Sequence, residues 1–290
     1  MDTMIHFGDN ALATHFMTID EIREACPLAF KSNPTNPNVS DRYVHANTAT
    51  VIEDLGKLGW YPVQAKQCRG KKGSKGIRSF HMVAFQNENV KIEKVNDDGT
   101  KTIDTYPRII LTNSHDGFNS FKFMVGLFRL VCSNGLVVAD EQMVNMSIRH
   151  INYSFDELRK VVAEAIKQVP NIVNTMNTMK NTEITDKQKK EIATEVVRIR
   201  KNAEDEQKFD IDEDTIMEIL NPVREEDKSD DLWTVFNICQ EKLIKGGYNA
   251  INSKNKVRKQ RGITSIKKDL DYNQRLWNVA MKYMPATVAA

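Results

Sequence analysis

A chain of 290 residues, 40% hydrophobic and 28% charged, can bury a real core and is long enough for one large or two modest domains. With 41 Lys and Arg against 39 Asp and Glu, the net charge is +2, which excludes a protein that coats polyanions uniformly and leaves room for a local basic surface. No window approaches 18 consecutive apolar residues, and the opening MDTMIHFGDNALATHF lacks a basic stretch followed by an apolar one, so a cytoplasmic protein with neither membrane span nor secretion signal is expected.

The turn-rich PTNPNV at Pro34 to Val39 is expected to set an N-terminal arm, residues 1–40, apart from an α+β core over 41–150. Ala49 to Leu58 reads as a helix with Val51, Ile52, Leu55 and Leu58 inward, closed by Gly59. Tyr61 to Cys68 and Ser79 to Gln86 read as the strands of a long hairpin. Val90 to Val95 extends it before the turn Asp97-Asp98-Gly99, and Tyr106 to Thr112 returns as a further strand. After the polar turn NSHDG, Phe121, Met124, Val125, Phe128 and Val131 recur at helical spacing, which predicts a helix crossing behind the sheet and ending at Asn134-Gly135.

Residues 151–290 read as a helical region. Ser154 caps a helix that Pro170 is expected to stop, Thr185 and Gln188 open another, Asp212 or Asp214 starts a short one, and Asp230 or Asp231 precedes the run Leu232 to Ile244 that Gly246-Gly247 ends. Cys26, Cys68, Cys132 and Cys239 are scattered without a CxxC pair, so free thiols are expected in place of a zinc ribbon or a disulfide framework.

Charge is locally segregated. KQCRGKKGSKGIR places Lys66, Arg69, Lys71, Lys72, Lys75 and Arg78 on the hairpin tip with no acid among them, and KNKVRKQRGITSIKK from Lys254 to Lys268 is a second acid-free run. On the helix expected from Phe121, Lys122, Gly126, Arg129 and Ser133 form the polar stripe. Trp60, Tyr61, Phe80, Phe118 and Phe121 lie beside these cations, where they either fill the core or offer rings for unpaired bases. Together these point to a non-catalytic protein that binds single-stranded nucleic acid with little sequence preference and needs no cofactor or metal. His115, in a turn beside basic residues, is expected to meet a phosphate or a base, while Asn113, Ser114 and Asp116 stabilise that turn. Two alternatives remain open. His81, His115, Asp116 and His150 could converge on a metal for phosphodiester hydrolysis, and the acidic stretch Glu204 to Asp231 could bind a host factor.

NSHDG, GLFRLVCSNGLVV (Gly126 to Val138), LWTVFNICQEKLIKGG (Leu232 to Gly247) and NQRLWNVA (Asn273 to Ala280) resemble an uncharacterised domain family of phage and plasmid proteins. The resemblance covers most of the chain and implies no particular activity; for a phage protein the compartment would be the host cytoplasm. The order helix, hairpin, strand, helix over about Ala46 to Asn134, with LGW at Leu58 to Trp60, also resembles the Rad-fifty-two superfamily of single-strand annealing proteins. That resemblance implies that the hairpin cations and Lys122 with Arg129 line one groove for a sugar-phosphate backbone, in a ring of identical subunits.

Overall fold

The computed structural model describes residues 15–39, 45, 47–68, 79–95, 99–119, 121–129, 135–137, 146–148, 154–201, 211–224, 227–251 and 256–285. The chain divides between Val169 and Pro170 into two compact units. The α+β class and the helical C-terminal region both hold.

Among the described residues the first unit is built on an antiparallel sheet of seven strands: β1 (Tyr61–Gln67), β2 (His81–Gln86), β3 (Ile92–Val95), β4 (Lys101–Asn113), β5 (Phe121–Arg129), β6 (Gly135–Val137) and β7 (Met146–Ile148). The central order is β1-β2-β4-β5. The long β4 carries β2 and β3 end to end along one edge, Gln86 opposite Arg108 and Ile92 opposite Thr105, while β5 lies along the other. The segment expected to extend the hairpin therefore does so by continuing the line of β2 along β4.

Helices α1 (Ile19–Ala25) and α2 (Thr48–Lys57) and the start of α3 (Phe155–Lys180) supply the residues that cover one sheet face. Ile22, Val51, Ile52, Leu55, Leu158 and Val162 pack there with Trp60, Val83, Phe85, Ile109, Leu111, Phe121 and Phe123. The N-terminal segment is thus part of this core through Ile22, and Met17 N–H donates to the Pro62 carbonyl at 2.7 Å. Helix α2 starts where its apolar spacing predicts, with the Asn47 side chain accepting from Ala49 N–H, and Gly59 follows its end at φ +80°.

The helix expected from Phe121 is strand β5 instead. Phe121, Phe123, Met124 and Val125 are all buried, so both faces of β5 are shielded and its sequence is an almost continuous apolar run. Such a run satisfies a helical spacing as readily as an alternating one. The correction splits the supposed stripe. In a strand the 3.6-residue spacing that grouped Lys122 with Arg129 no longer applies. Pro170 also fails to stop its helix, since α3 continues to Lys180. Proline removes one N–H and crowds the preceding turn. Here the turns on both sides are anchored by buried residues, Leu158 and Val162 before it and Ile172, Met176 and Met179 after it.

The second unit holds the end of α3 with α4 (Asp186–Lys201), α5 (Glu213–Leu220), α6 (Leu232–Lys245), the short pair β8 (Asn249–Ile251) and β9 (Val257–Lys259), and α7 (Ile266–Met281). The expected caps are present: Thr185 with Gln188, Asp212 on Thr215, Asp231 on Thr234, and Gly246 at φ +71° after α6. Helix α6 is buried nearly all round. Its Phe236 stacks on Trp233 and meets Trp277 of α7 edge-on, and its Gln240 donates to Asn273 at 2.8 Å.

Strand alternation in β5 can be checked by substitution. Phe123→Ala, which empties the centre of the core, is expected to cost about 3–5 kcal/mol in denaturant unfolding, whereas Lys122→Ala is expected to change stability by less than about 1 kcal/mol.

Candidate functional site

Two features of the first unit bear on function: a buried polar hub at one end of the sheet, and the face of the sheet opposite the core.

The hub is centred on the hydroxyl of Thr48, the first residue of α2. His81 Nε2 lies 2.7 Å from it, Asn113 Nδ2 2.9 Å and His115 Nε2 3.5 Å. Chemistry fixes the directions. His81 Nδ1 lies 2.6 Å from the Ser79 carbonyl, which can only accept, so Nδ1 carries the proton and Nε2 accepts from Thr48. Thr48 then uses its lone pairs on the Asn113 amide and the more distant His115 Nε2–H. Burial drives the His81 imidazole down to about 4 from an ordinary 6.5, which keeps it neutral.

The turn Asn113 to Gly117 closes around this hub much as its residue types suggest. Asp116 accepts from Phe118 N–H and from Ser79 N–H, both at 3.0 Å, and Asn113 Oδ1 accepts from Ser114 N–H. Ser79 Oγ accepts from His115 N–H at 2.6 Å, and Thr35 N–H donates to the His115 carbonyl at 2.7 Å. His115, expected to face a ligand, is fully buried instead, its ring 5.0 Å from that of His81 and 4.4 Å from that of His45. The turn bends inward because its polar groups find their partners on α2 and β2. Sequence reasoning missed Thr48, Ser79 and His45, and the available signal was a cluster of small polar residues where a helix and two strands begin or end.

His81 and His115 do converge, but both Asp116 oxygens accept backbone N–H bonds, and His150 lies outside the described residues. Among the described residues, no group of three or more His, Cys, Asp or Glu is arranged to hold a metal ion. Cys132 is also outside them, while burial pushes the Cys26 and Cys239 thiols up to about 12. Several acids of the stretch expected to form an interaction surface are engaged within their own unit: Glu213 with Lys190, Asp227 with Arg224, and Asp230 with Lys189.

The sheet face opposite the core is defined by cross-strand register. One row runs Lys66, Met82, Thr112, Lys122 and Ser147, and another runs Tyr61, Gln86, Arg108 and Gly126. A register shift between Pro62 and Gln64 brings Tyr61 onto the same side as Lys66. Between these rows lies Gln64, Ala84, Ile110 and Met124. None of these positions carries an acid. Tyr61 is 48% exposed and Lys66 and Lys122 are half-buried, while Met82, Ile110 and Met124 in the middle are buried. Arg108 donates to Gln86 at 3.1 Å, and burial lowers its guanidinium to about 9, so it remains charged at neutral pH.

Of the cations singled out in the sequence, Lys66 and Lys122 are therefore brought into one row. Arg69, Lys71, Lys72, Lys75 and Arg78 lie outside the described residues, in the segment joining β1 to β2, and only the backbone is described at Arg129. Of the flanking aromatics, Trp60, Phe80 and Phe121 are buried in the interior, whereas Tyr61 and Phe118 are exposed.

Residues 37–277 match the model of a family described as "Domain of unknown function (DUF932)". The chain belongs to that family. It is 29% identical over 264 residues to the UPF0380 protein YafZ of Escherichia coli K12 and 28% identical over 264 residues to the UPF0380 protein YfjQ of the same organism, in each case covering 91% of this chain and 90% of the relative. No solved structure matches. The resemblance to an uncharacterised family is thereby borne out. The likeness to single-strand annealing proteins gains no such support, and the crossing helix on which its element order relied is a strand. Two of the family-like segments, LWTVFNICQEKLIKGG and NQRLWNVA, coincide with α6 and α7, the packed centre of the second unit.

The hub generates a pH prediction. The unfolded chain takes up the His81 proton near pH 6.5 and the folded protein only near 4, so this contribution to stability is full above about 6.5 and declines as pH falls toward 4. The loss is on the order of 3 kcal/mol. A set of melts across that range is expected to show it, and His81→Gln to flatten it. Thr48→Val, which keeps the shape and removes the hydroxyl, is expected to cost about 1–3 kcal/mol for each buried partner it strands.

Proposed function

We propose that the protein binds single-stranded nucleic acid with little sequence preference, without catalysing a reaction, through the cation-bearing sheet face and the Lys- and Arg-rich segment that joins β1 to β2. The observation that carries this reading is the shared face of Tyr61, Lys66, Arg108 and Lys122, with no acid in the three cross-strand rows that hold them. Lys66 and Lys122 sit three strand spacings apart in one row, roughly 14 Å. That separation suits cations that follow a backbone across a sheet. Cations release counterions from phosphates, and an exposed ring such as Tyr61 stacks on an unpaired base whatever its identity. Arg69, Lys71, Lys72, Lys75 and Arg78 are joined in sequence to the end of β1 beside Lys66, so they would extend the same contact.

Binding to a labelled oligonucleotide of about 40 nucleotides at about 50 mM salt tests the reading, with affinity expected to fall steeply as salt rises. Tyr61→Ala with Lys66→Ala and Lys122→Ala, and separately Lys71→Ala with Lys72→Ala and Lys75→Ala, are each expected to weaken binding about 10-fold or more without lowering the melting temperature appreciably. A parent protein that leaves the oligonucleotide free, or two folded variants that bind as the parent does, would remove the proposal.

A further inference from the structure

The second unit carries a basic surface of its own. From Lys256 to Lys268 the sequence has six cations and no acid, and Lys256, Arg258, Lys259, Arg261, Lys267 and Lys268 are all exposed. Elsewhere in this unit many cations are paired: Lys189 with Asp186 and Asp230, Lys190 with Glu213, Arg198 with Glu195, Arg224 with Glu241. Arg258, Lys259, Arg261 and Lys268 make no ion pair with any described residue. Like charges left unneutralised at this density repel one another, and an anionic partner relieves that repulsion.

The local fold presents these residues on a two-stranded ribbon. Strand β8 is the inner one: Ala250 is buried, the Asn249 carbonyl accepts from the Thr215 hydroxyl at 3.1 Å, and Glu218 accepts from Asn249 N–H at 2.7 Å. Strand β9 is the outer one, paired with β8 from Val257 opposite Ile251 to Lys259 opposite Asn249, and all three of its residues are exposed. The base of the ribbon is held firmly. Gly247 N–H donates to the Gln260 carbonyl and Gln260 N–H to the Tyr248 carbonyl, at 2.9 and 2.8 Å. Arg200 ties the exit of β9 to the end of α6, with Nε on the Leu243 carbonyl at 3.0 Å and both terminal nitrogens on the Arg261 carbonyl at 2.8 and 2.7 Å. Gly246 fits this joint because a Cβ there would stand 2.4 Å from the Gln260 carbonyl oxygen.

Strand alternation puts Arg258 on one face of the ribbon and Lys259 on the other. A flat anionic surface such as a membrane meets one face of a ribbon; a groove with phosphates on both walls meets two. The major groove of B-form DNA admits a two-stranded antiparallel ribbon, whereas the deep, narrow major groove of duplex RNA does not. We propose that the β8–β9 ribbon is a duplex-DNA-binding element, its free outer strand β9 entering the major groove with Arg258, Lys259 and Arg261 on the flanking phosphates. This goes beyond single-strand binding by the first unit and stands on different residues.

The test uses the full-length chain and four probes: a labelled DNA duplex of about 25 base pairs, the RNA duplex of the same sequence, the single DNA strand, and vesicles of phosphatidylcholine with phosphatidylglycerol, all at about 100 mM salt. The parent is expected to bind the DNA duplex more tightly than the RNA duplex or the vesicles. Arg258→Ala with Lys259→Ala and Arg261→Ala is expected to lower duplex-DNA affinity about 10-fold or more and to reduce the slope of log affinity against log salt by about 2 to 3. The Arg261 carbonyl that Arg200 grips is unchanged in this variant, and an unaltered melt confirms the fold. A parent that leaves duplex DNA unbound, a folded triple variant that binds it as before, or a preference for RNA duplex or vesicles would overturn the proposal. Because the sheet-face variants are read on the single strand and the ribbon variant on the duplex, either proposal can fail while the other stands.

Discussion

The Thr48 hydroxyl is the point on which the first unit depends. One side-chain oxygen, able to donate once and accept twice, faces His81, Asn113 and His115. Those three residues belong to the start of β2, the end of β4 and the turn beyond it, while Thr48 begins α2. The hub therefore fixes where the helix meets the sheet and which way the NSHDG turn folds. A buried polar network of this kind contributes less net stability than an apolar core of equal volume but penalises alternative packings heavily, because any shift strands a donor or an acceptor out of reach of water. With the hub set, Val83, Leu111 and Phe123 align in one row of the core, and on the reverse of the sheet Lys66 and Lys122 align in another.

Much of this was legible in the sequence, and where it was not the reason is physical. Helix α2, the β1–β2 pair and the caps at Thr185, Asp212, Asp231 and Gly246 follow from local signals: an Asn before an amphipathic run, Thr185 with Gln188, Asp before Thr, glycine after Lys245. Those signals act within a few residues and need no tertiary partner. Strand β5 is different, because the burial of both its faces erases the alternation that distinguishes a strand, and only its pairing with β4 decides its type. His115 follows the same logic. A histidine in a polar turn looks exposed until Thr35, Thr48 and Ser79, which are distant in sequence, are seen to surround it.

The cations illustrate how strand geometry and helix geometry select different partners from one sequence. Helical spacing groups Lys122 with Arg129; the strand groups Lys122 with Lys66, more than fifty residues earlier, through two intervening strands. Tyr61 joins that face only because β1 is irregular between Pro62 and Gln64. Two of the segments that carry the family resemblance do another job. Helices α6 and α7 are buried against one another, so their residues are held by packing, and resemblance there reports a common architecture more than a common ligand.

The outer strand of the ribbon has a consequence for the protein as a solute. Among the described residues β9 is paired on one edge only, by β8, and an open edge with exposed Val257 is a template on which another chain can add a strand. Arg258 and Lys259 on that strand, with Lys256 before it, guard the edge, since two such strands brought together would set like charges side by side. The protection is electrostatic and so has a finite range: at about 1 M salt the screening length shrinks to about 3 Å, less than the distance between neighbouring strands. If the ribbon contacts a polyanion as proposed, the same charges would also oppose edge-to-edge pairing through β9, and concentrated salt would weaken both effects together.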